Sequence, residues 1–254
     1  MWMASPGIVT TAQWQLMHAW LDQDERAQTA RFLDPEDQRT YVLAHSLRRM
    51  GLSQALKIPV SQVSIARSPA GIPIWQGDHP CPLYFSHAHA HGLAVFAITG
   101  LAPLGIDVEA LYPAAADLEL LHAWMKLPPV RQRDAELGPD PAKQFLFYWT
   151  VLEAFWKAAG TGLVQGQPLL EYGARALQGF EVSGAVRGQT QRALAIPLQT
   201  PSGWMASVVT MLVDGLDSTS ELPIRYRQIN DFDWDNWDDF TGLRTPPVSQ
   251  RQAA

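Results

Sequence analysis

Apolar residues recur at three- and four-residue intervals through residues 10–56, at Trp14, Leu16, Met17 and Trp20 and again at Phe32, Tyr41, Leu43, Leu47 and Leu52. That spacing predicts two or three helices, each with one face turned inward. The second carries Arg39, His45, Arg48 and Arg49, spaced so that several share one helical face. A solvated face and a charged working face are both open readings. Residues 63–99 change texture to short β-rich pieces punctuated by Pro69, Gly71, Pro73, Gly77 and Pro80, and residues 93–99 predict a strand. After Gly105-Ile-Asp-Val-Glu109 comes a Pro/Ala loop, then a helical stretch over about 118–126 that Pro128 and Pro129 end. Residues 143–159 predict the longest helix, with Gly160 and Gly162 as stop signals. Strand patterns return over residues 178–213, with turns at Gly184, Gly188 and Pro201-Ser-Gly203.

One order of elements, helix followed by antiparallel strands, thus runs through residues 12–99 and again through 116–213. This predicts an α+β fold built as a duplicated unit, with one subdomain at 1–105, a second at 106–220 and a tail at 221–254. The tail alternates acids with aromatics in Asp231-Phe-Asp-Trp-Asp-Asn-Trp-Asp-Asp-Phe240, which reads as a flexible terminus or as a docking segment.

Composition narrows the class. At 47% hydrophobic and 17% charged over 254 residues, the chain is expected to fold around a sizeable core. The single cysteine, Cys81, excludes an internal disulfide framework and a multi-cysteine zinc site, which fits a reducing compartment. A formal charge of -6 argues against a surface that broadly attracts nucleic acid or anionic lipid. With no secretory signal at the start and no apolar run approaching ~20 residues, no membrane association is expected and the cytoplasm is the expected location.

Three clusters could carry chemistry. Asp107 and Glu109 are two apart in a strand pattern and therefore share a face, and burying two carboxylates together calls for a counter-charge such as Mg²⁺. If that face is solvated, the argument lapses. Trp149, Glu153 and Lys157 are four apart and lie along one helical face, where the plain reading is an ordinary Glu/Lys pair. The surrounding Phe145, Tyr148 and Trp156 favour a used pair, with Lys157 suited to a phosphate. Ser86, His87, His89 and His91 form the third cluster, in which period two puts the three imidazoles on one side and invites a zinc hydrolase reading that lacks a further ligand.

Taken in order, Arg39 to Arg49, the Gly71-Ile-Pro73 turn, Phe85-Ser-His87, Gly105-Ile-Asp-Val-Glu109 and Trp149-Thr-Val-Leu-Glu153-Ala-Phe-Trp-Lys157-Ala-Ala-Gly160 resemble the Sfp-type 4′-phosphopantetheinyl transferases over roughly residues 20–215. The resemblance implies two pseudo-twofold-related subdomains, each a small antiparallel sheet packed with helices, in line with the duplicated order. It also implies transfer of the 4′-phosphopantetheine arm of coenzyme A to a serine of an acyl, peptidyl or aryl carrier protein, with release of adenosine 3′,5′-bisphosphate. Position by position it assigns Asp107, Glu109 and Glu153 to Mg²⁺, and Lys157 and His87 to the pyrophosphate, so that Glu153, Lys157 and His87 form the catalytic set. Ser86 and Thr40 would seat the nucleotide, and Arg39 and Arg48 would surround its phosphates. Members of this type are commonly monomers.

Three positions depart from the family pattern. Leu152 stands where a lysine precedes the metal-binding glutamate, and Ile72 replaces the lysine of a G-K-P turn. Pro128-Pro129 falls where a glutamate is proposed as general base, leaving Glu136 as the substitute. Each absent cation facing a desolvated phosphate could weaken binding by about 1–3 kcal/mol. A homologue that binds a carrier protein or a coenzyme A-like ligand without turnover is therefore the alternative reading.

Overall fold

The computed structural model describes residues 1–77, 82–111, 140–162, 170–176, 179–217, 222, 225 and 227–229. The expected helix over 118–126, Cys81, Pro128, Pro129, Glu136 and the acidic-aromatic segment lie outside the described residues.

Strand β1 (Trp2–Ala4) opens the chain, followed by helices α1 (Thr11–Trp20), α2 (Gln23–Thr29) and α3 (Pro35–Leu56). Each helix starts where a side chain satisfies the first free N–H groups. Thr10 and Gln13 form a capping box at α1, and Asp22 and Glu25 form another at α2. Asp34 caps α3 ahead of Pro35, and Lys57 closes it in a left-handed conformation. A two-stranded ribbon, β2 (Ile65–Arg67) with β3 (Pro73–Trp75), leads to β4 (Tyr84–Ala90), β5 (Leu93–Thr99) and β6 (Leu104–Ala110). The long helix α4 (Pro141–Ala158) then begins at the Asp140 cap. Strands β7 (Glu171–Arg175), β8 (Phe180–Val186), β9 (Gln189–Pro197), β10 (Trp204–Met211) and β11 (Arg227–Ile229) complete the described elements.

The larger sheets run β11-β1-β5-β4 and β6-β10-β9-β8-β7. All pairings are antiparallel except β1 with β11, so the α+β class with small antiparallel sheets and packed helices is borne out. Helix α3 lies on the first sheet, where Leu43, Leu47, Met50 and Leu52 join Trp2, Phe85 and Phe96 in one core. In a second core α4 packs on the other sheet through Val151, Ala154 and Phe155 against Phe180, Val182 and Val209. Between the sheets, Met3, Ala88 and Val95 meet Leu104, Ile106 and Val108. That third cluster places β4, an edge of one sheet, beside β6, an edge of the other. Residues 227–229, which fall within the stretch set apart as a tail, return to pair with β1.

Candidate active site

Strand β6 supplies the acids and α4 the facing cation. Residues 105, 107 and 109 point to one side of β6, and there Gly105 lets the helix come close. A Cβ at Gly105 would sit 2.0 Å from the Ala154 carbonyl oxygen and 2.7 Å from the Ala158 nitrogen. This near contact holds Asp107 against the helix face carrying Trp149, Glu153 and Lys157. Lys157 Nζ donates to Asp107 Oδ1 at 2.5 Å and to the Ile106 carbonyl at 3.3 Å, and lies 3.7 Å from Glu153. Trp149 Nε1 donates to Glu109 at 3.2 Å. The two sequence clusters thus form a single site.

Burial pushes the Asp107 carboxyl up to about 6, against the pull of Lys157, while the nearby acids raise the Lys157 ammonium above its usual range. The second carboxylate oxygen of Asp107, Oδ2, is buried without a hydrogen-bond partner. A buried charged oxygen in that state is costly unless something compensates it. Asp107 and its neighbours Glu109 and Glu153 are hard oxygen donors of the kind a divalent cation takes, so the donor chemistry fits Mg²⁺, although their ligand atoms are not gathered within 4.8 Å of one another.

Ser86 and His87 lie on opposite sides of β4. Ser86 faces β6 and its hydroxyl accepts from the Ile106 N–H at 3.2 Å. His87 faces α3, where its ring meets His45 edge-on at 4.9 Å. A cavity of about 480 Å³ opens here, lined by Gln28, Arg31, Tyr41, His45, Arg67 and His87. Burial holds His87 well below the ordinary imidazole range, and Arg48 adds to the effect. Lys157 adds a smaller push in the same direction.

The remaining expected residues are placed differently. Arg48 is 2% exposed and its guanidinium binds Glu25. Thr40 donates to the Glu36 carbonyl at 2.7 Å and accepts from the Gly92 N–H at 3.2 Å, which ties α3 to the β4–β5 turn. Arg39 is exposed on the first turns of α3 and does not line the cavity. Three partners divide the imidazoles of the zinc reading: His87 meets His45, His89 meets the Tyr41 ring and His91 pairs with Asp37 at 3.0 Å. Among the described residues, Asp34, Asp37 and His91 bring three ligand atoms within 4.8 Å at the surface, and the His91–Asp37 bond accounts for that approach. Sequence reasoning missed Glu25, Arg31 and Arg67. Only Glu25 left a signal, as the last residue of the Asp22-x-x-Glu25 capping pattern.

Leu152 packs with the core formed by α4 and the second sheet. Leu152→Lys is therefore expected to lower stability by about 1 kcal/mol, read as a lower Tm. A Tm equal to or above that of wild type would place the 152 side chain in solvent.

A strand-borne D-x-E facing a helix-borne Glu and Lys, with an imidazole from the neighbouring sheet, is the arrangement that the motifs imply. The chain is similar to 4′-phosphopantetheinyl transferases. Residues 8–99 match the family described as 4′-phosphopantetheinyl transferase, N-terminal. The chain is 35% identical over 161 residues to the 4′-phosphopantetheinyl transferase HetI of Nostoc, covering 61% of this chain and 65% of that protein. It is also 25% identical over 148 residues to a putative 4′-phosphopantetheinyl transferase of Synechocystis, covering 58% and 60%. It therefore spans somewhat less than two thirds of the length of these relatives.

Proposed function

We propose that this protein is an Sfp-type transferase that moves the 4′-phosphopantetheine arm of coenzyme A onto a serine of an acyl, peptidyl or aryl carrier protein. The observation that carries the reading is the buried, unpartnered Asp107 Oδ2 beside Lys157, on the face shared with Glu109 and Glu153. Asp107, Glu109 and Glu153 would hold Mg²⁺, which when bound supplies positive charge against the pyrophosphate oxygens.

The serine oxygen attacks the β-phosphorus and forms a new P–O bond. The bond from that phosphorus to the bridging oxygen breaks, and the electron pair leaves on adenosine 3′,5′-bisphosphate. Negative charge builds on the bridging oxygen, and Lys157, already fixed by Asp107, is a preorganised cation for it. His87, kept neutral, donates one N–H to a phosphate oxygen. The serine proton goes to a general base, for which Glu136 remains the candidate.

The test is the mass of a purified apo carrier protein after incubation with this protein, coenzyme A and Mg²⁺, with and without chelator. A phosphopantetheine gain that needs the metal supports the transferase. No gain with several carriers, alongside coenzyme A binding by calorimetry, supports the non-turnover homologue, for which the hydrophobic residues at 72 and 152 are the motive.

The pH dependence has a definite sign. Asp107 must be ionised to hold a cation, and in the metal-free protein its proton comes off at about 6. At subsaturating Mg²⁺, transfer is expected to fall as pH drops through about 6, and raising Mg²⁺ should move that midpoint lower because cation and proton compete. Rates measured from pH 5 to 8 at two Mg²⁺ concentrations check this, and a midpoint indifferent to Mg²⁺ counts against Asp107 as a ligand.

A further inference from the structure

Glu25 lies 2% exposed in α2 and gathers an unusual set of partners from α3. Its Oε1 accepts from His45 Nδ1 at 2.8 Å, from Arg49 Nη1 at 3.0 Å and from Arg48 Nη2 in a very short contact. Its Oε2 accepts from the Asp22 N–H at 3.0 Å and lies 2.8 Å from Arg49 Nη2. Glu25 thereby shares its one negative charge between two buried guanidiniums, and Asp22, 3.5 Å from Arg49, supplies the second. Such a cluster is no automatic source of stability, because desolvation offsets much of the attraction. Its geometric effect is definite. A carboxylate only accepts, so the hydrogen bond puts the His45 proton on Nδ1 and fixes the ring plane.

His45 is stacked on Tyr41 with centroids 4.0 Å apart, and its ring meets His87 edge-on at 86°. His87 Nδ1 is buried and has no hydrogen-bond partner. No hydrogen bond at that nitrogen orients the imidazole, so its orientation rests on packing, and His45 is the ring it packs against.

We propose that Glu25 is a positioning residue: by fixing His45 it sets the orientation of His87, an imidazole that lines the cavity. The inference rests on the transferase reading only for the identity of the ligand, coenzyme A. A merely structural Glu25 would hold α2 on α3 and leave His87 untouched.

Glu25→Gln keeps the size and the acceptor at the α2 cap while removing the charge. The expected result is a tenfold or larger rise in the dissociation constant for coenzyme A by calorimetry, with kcat at saturating coenzyme A changed far less than KM. The His87 ring nitrogens should also shift in long-range ¹H–¹⁵N spectra of the ligand-free protein. Glu25→Asp, which retains the charge, should recover part of both effects. If Glu25→Gln does not fold, His45→Phe carries the test, since it keeps a ring beside His87 and removes the link to Glu25. His87 resonances and coenzyme A affinity that match wild type in either folded variant, with only a lower Tm, overturn the proposal. Absence of transfer by the wild-type protein would instead overturn the transferase reading, and the His87 spectra would still decide the role of Glu25.

Discussion

Asp107→Ala is expected to lower carrier-protein modification about a thousandfold while leaving a folded protein, and Glu153→Ala should do the same. A bound metal contributes several kcal/mol of charge stabilisation to a transition state, and each 1.36 kcal/mol is tenfold in rate. Asp107 is 4% exposed, its Oδ2 has no partner, and burial already opposes its ionisation. Removing such a carboxyl relieves a penalty as well as breaking the bond to Lys157. Glu153, 3.7 Å from Lys157, remains to balance the ammonium. Initial rates with a saturating apo carrier, together with far-ultraviolet circular dichroism and a melting curve, check both halves. Unchanged turnover in either variant removes the metal assignment, and a collapsed melting transition reassigns the loss to folding.

Gly105→Ala is expected to give a large loss of stability for a single methyl group. All the atoms it would meet are backbone: the Ala154 oxygen at 2.0 Å, the Ala158 nitrogen at 2.7 Å and the Ala154 carbonyl carbon at 2.9 Å. None can rotate aside, so β6 and α4 must move apart. Overpacking of this kind reaches about 3 kcal/mol, which in a domain this size lowers Tm by about 6–12 °C. The separation would also loosen the 2.5 Å contact between Lys157 and Asp107, so transfer should fall with stability. A Tm within about 2 °C of wild type would show that strand and helix have slack at this crossing.

Much of this architecture was legible where local pattern and tertiary burial agree. The expected helix over 143–159 is observed as Pro141–Ala158, and the strand expected over 93–99 is Leu93–Thr99. Strands β1 and β11 were not legible. Each is three residues long, and Trp2, Met3 and Ala4 are all buried, so β1 shows no alternation between inside and outside. The acids on β6 and the Glu/Lys pair on α4 were visible as separate clusters, but the close approach at Gly105 that unites them is a tertiary fact. The arginines show the limit most clearly. Helical spacing groups Arg39, Arg48 and Arg49, yet the first is exposed and the other two are buried on Glu25, more than 20 residues earlier in the chain. Charge type alone does not tell a ligand-facing guanidinium from one already neutralised.

The parallel pairing of Trp2–Ala4 with Arg227–Ile229 also orders events during synthesis. The partners are more than 220 residues apart, so closing this contact comes late, after the loop entropy of nearly the whole chain has been overcome. Until then β1, already able to pair with β5, presents an open edge of backbone donors and acceptors. A nascent or truncated chain that stops short of Arg227 carries that edge uncovered, and a second such chain can add to it. Once paired, residues 227–229 cover β1 and become the outer strand of the sheet in its place.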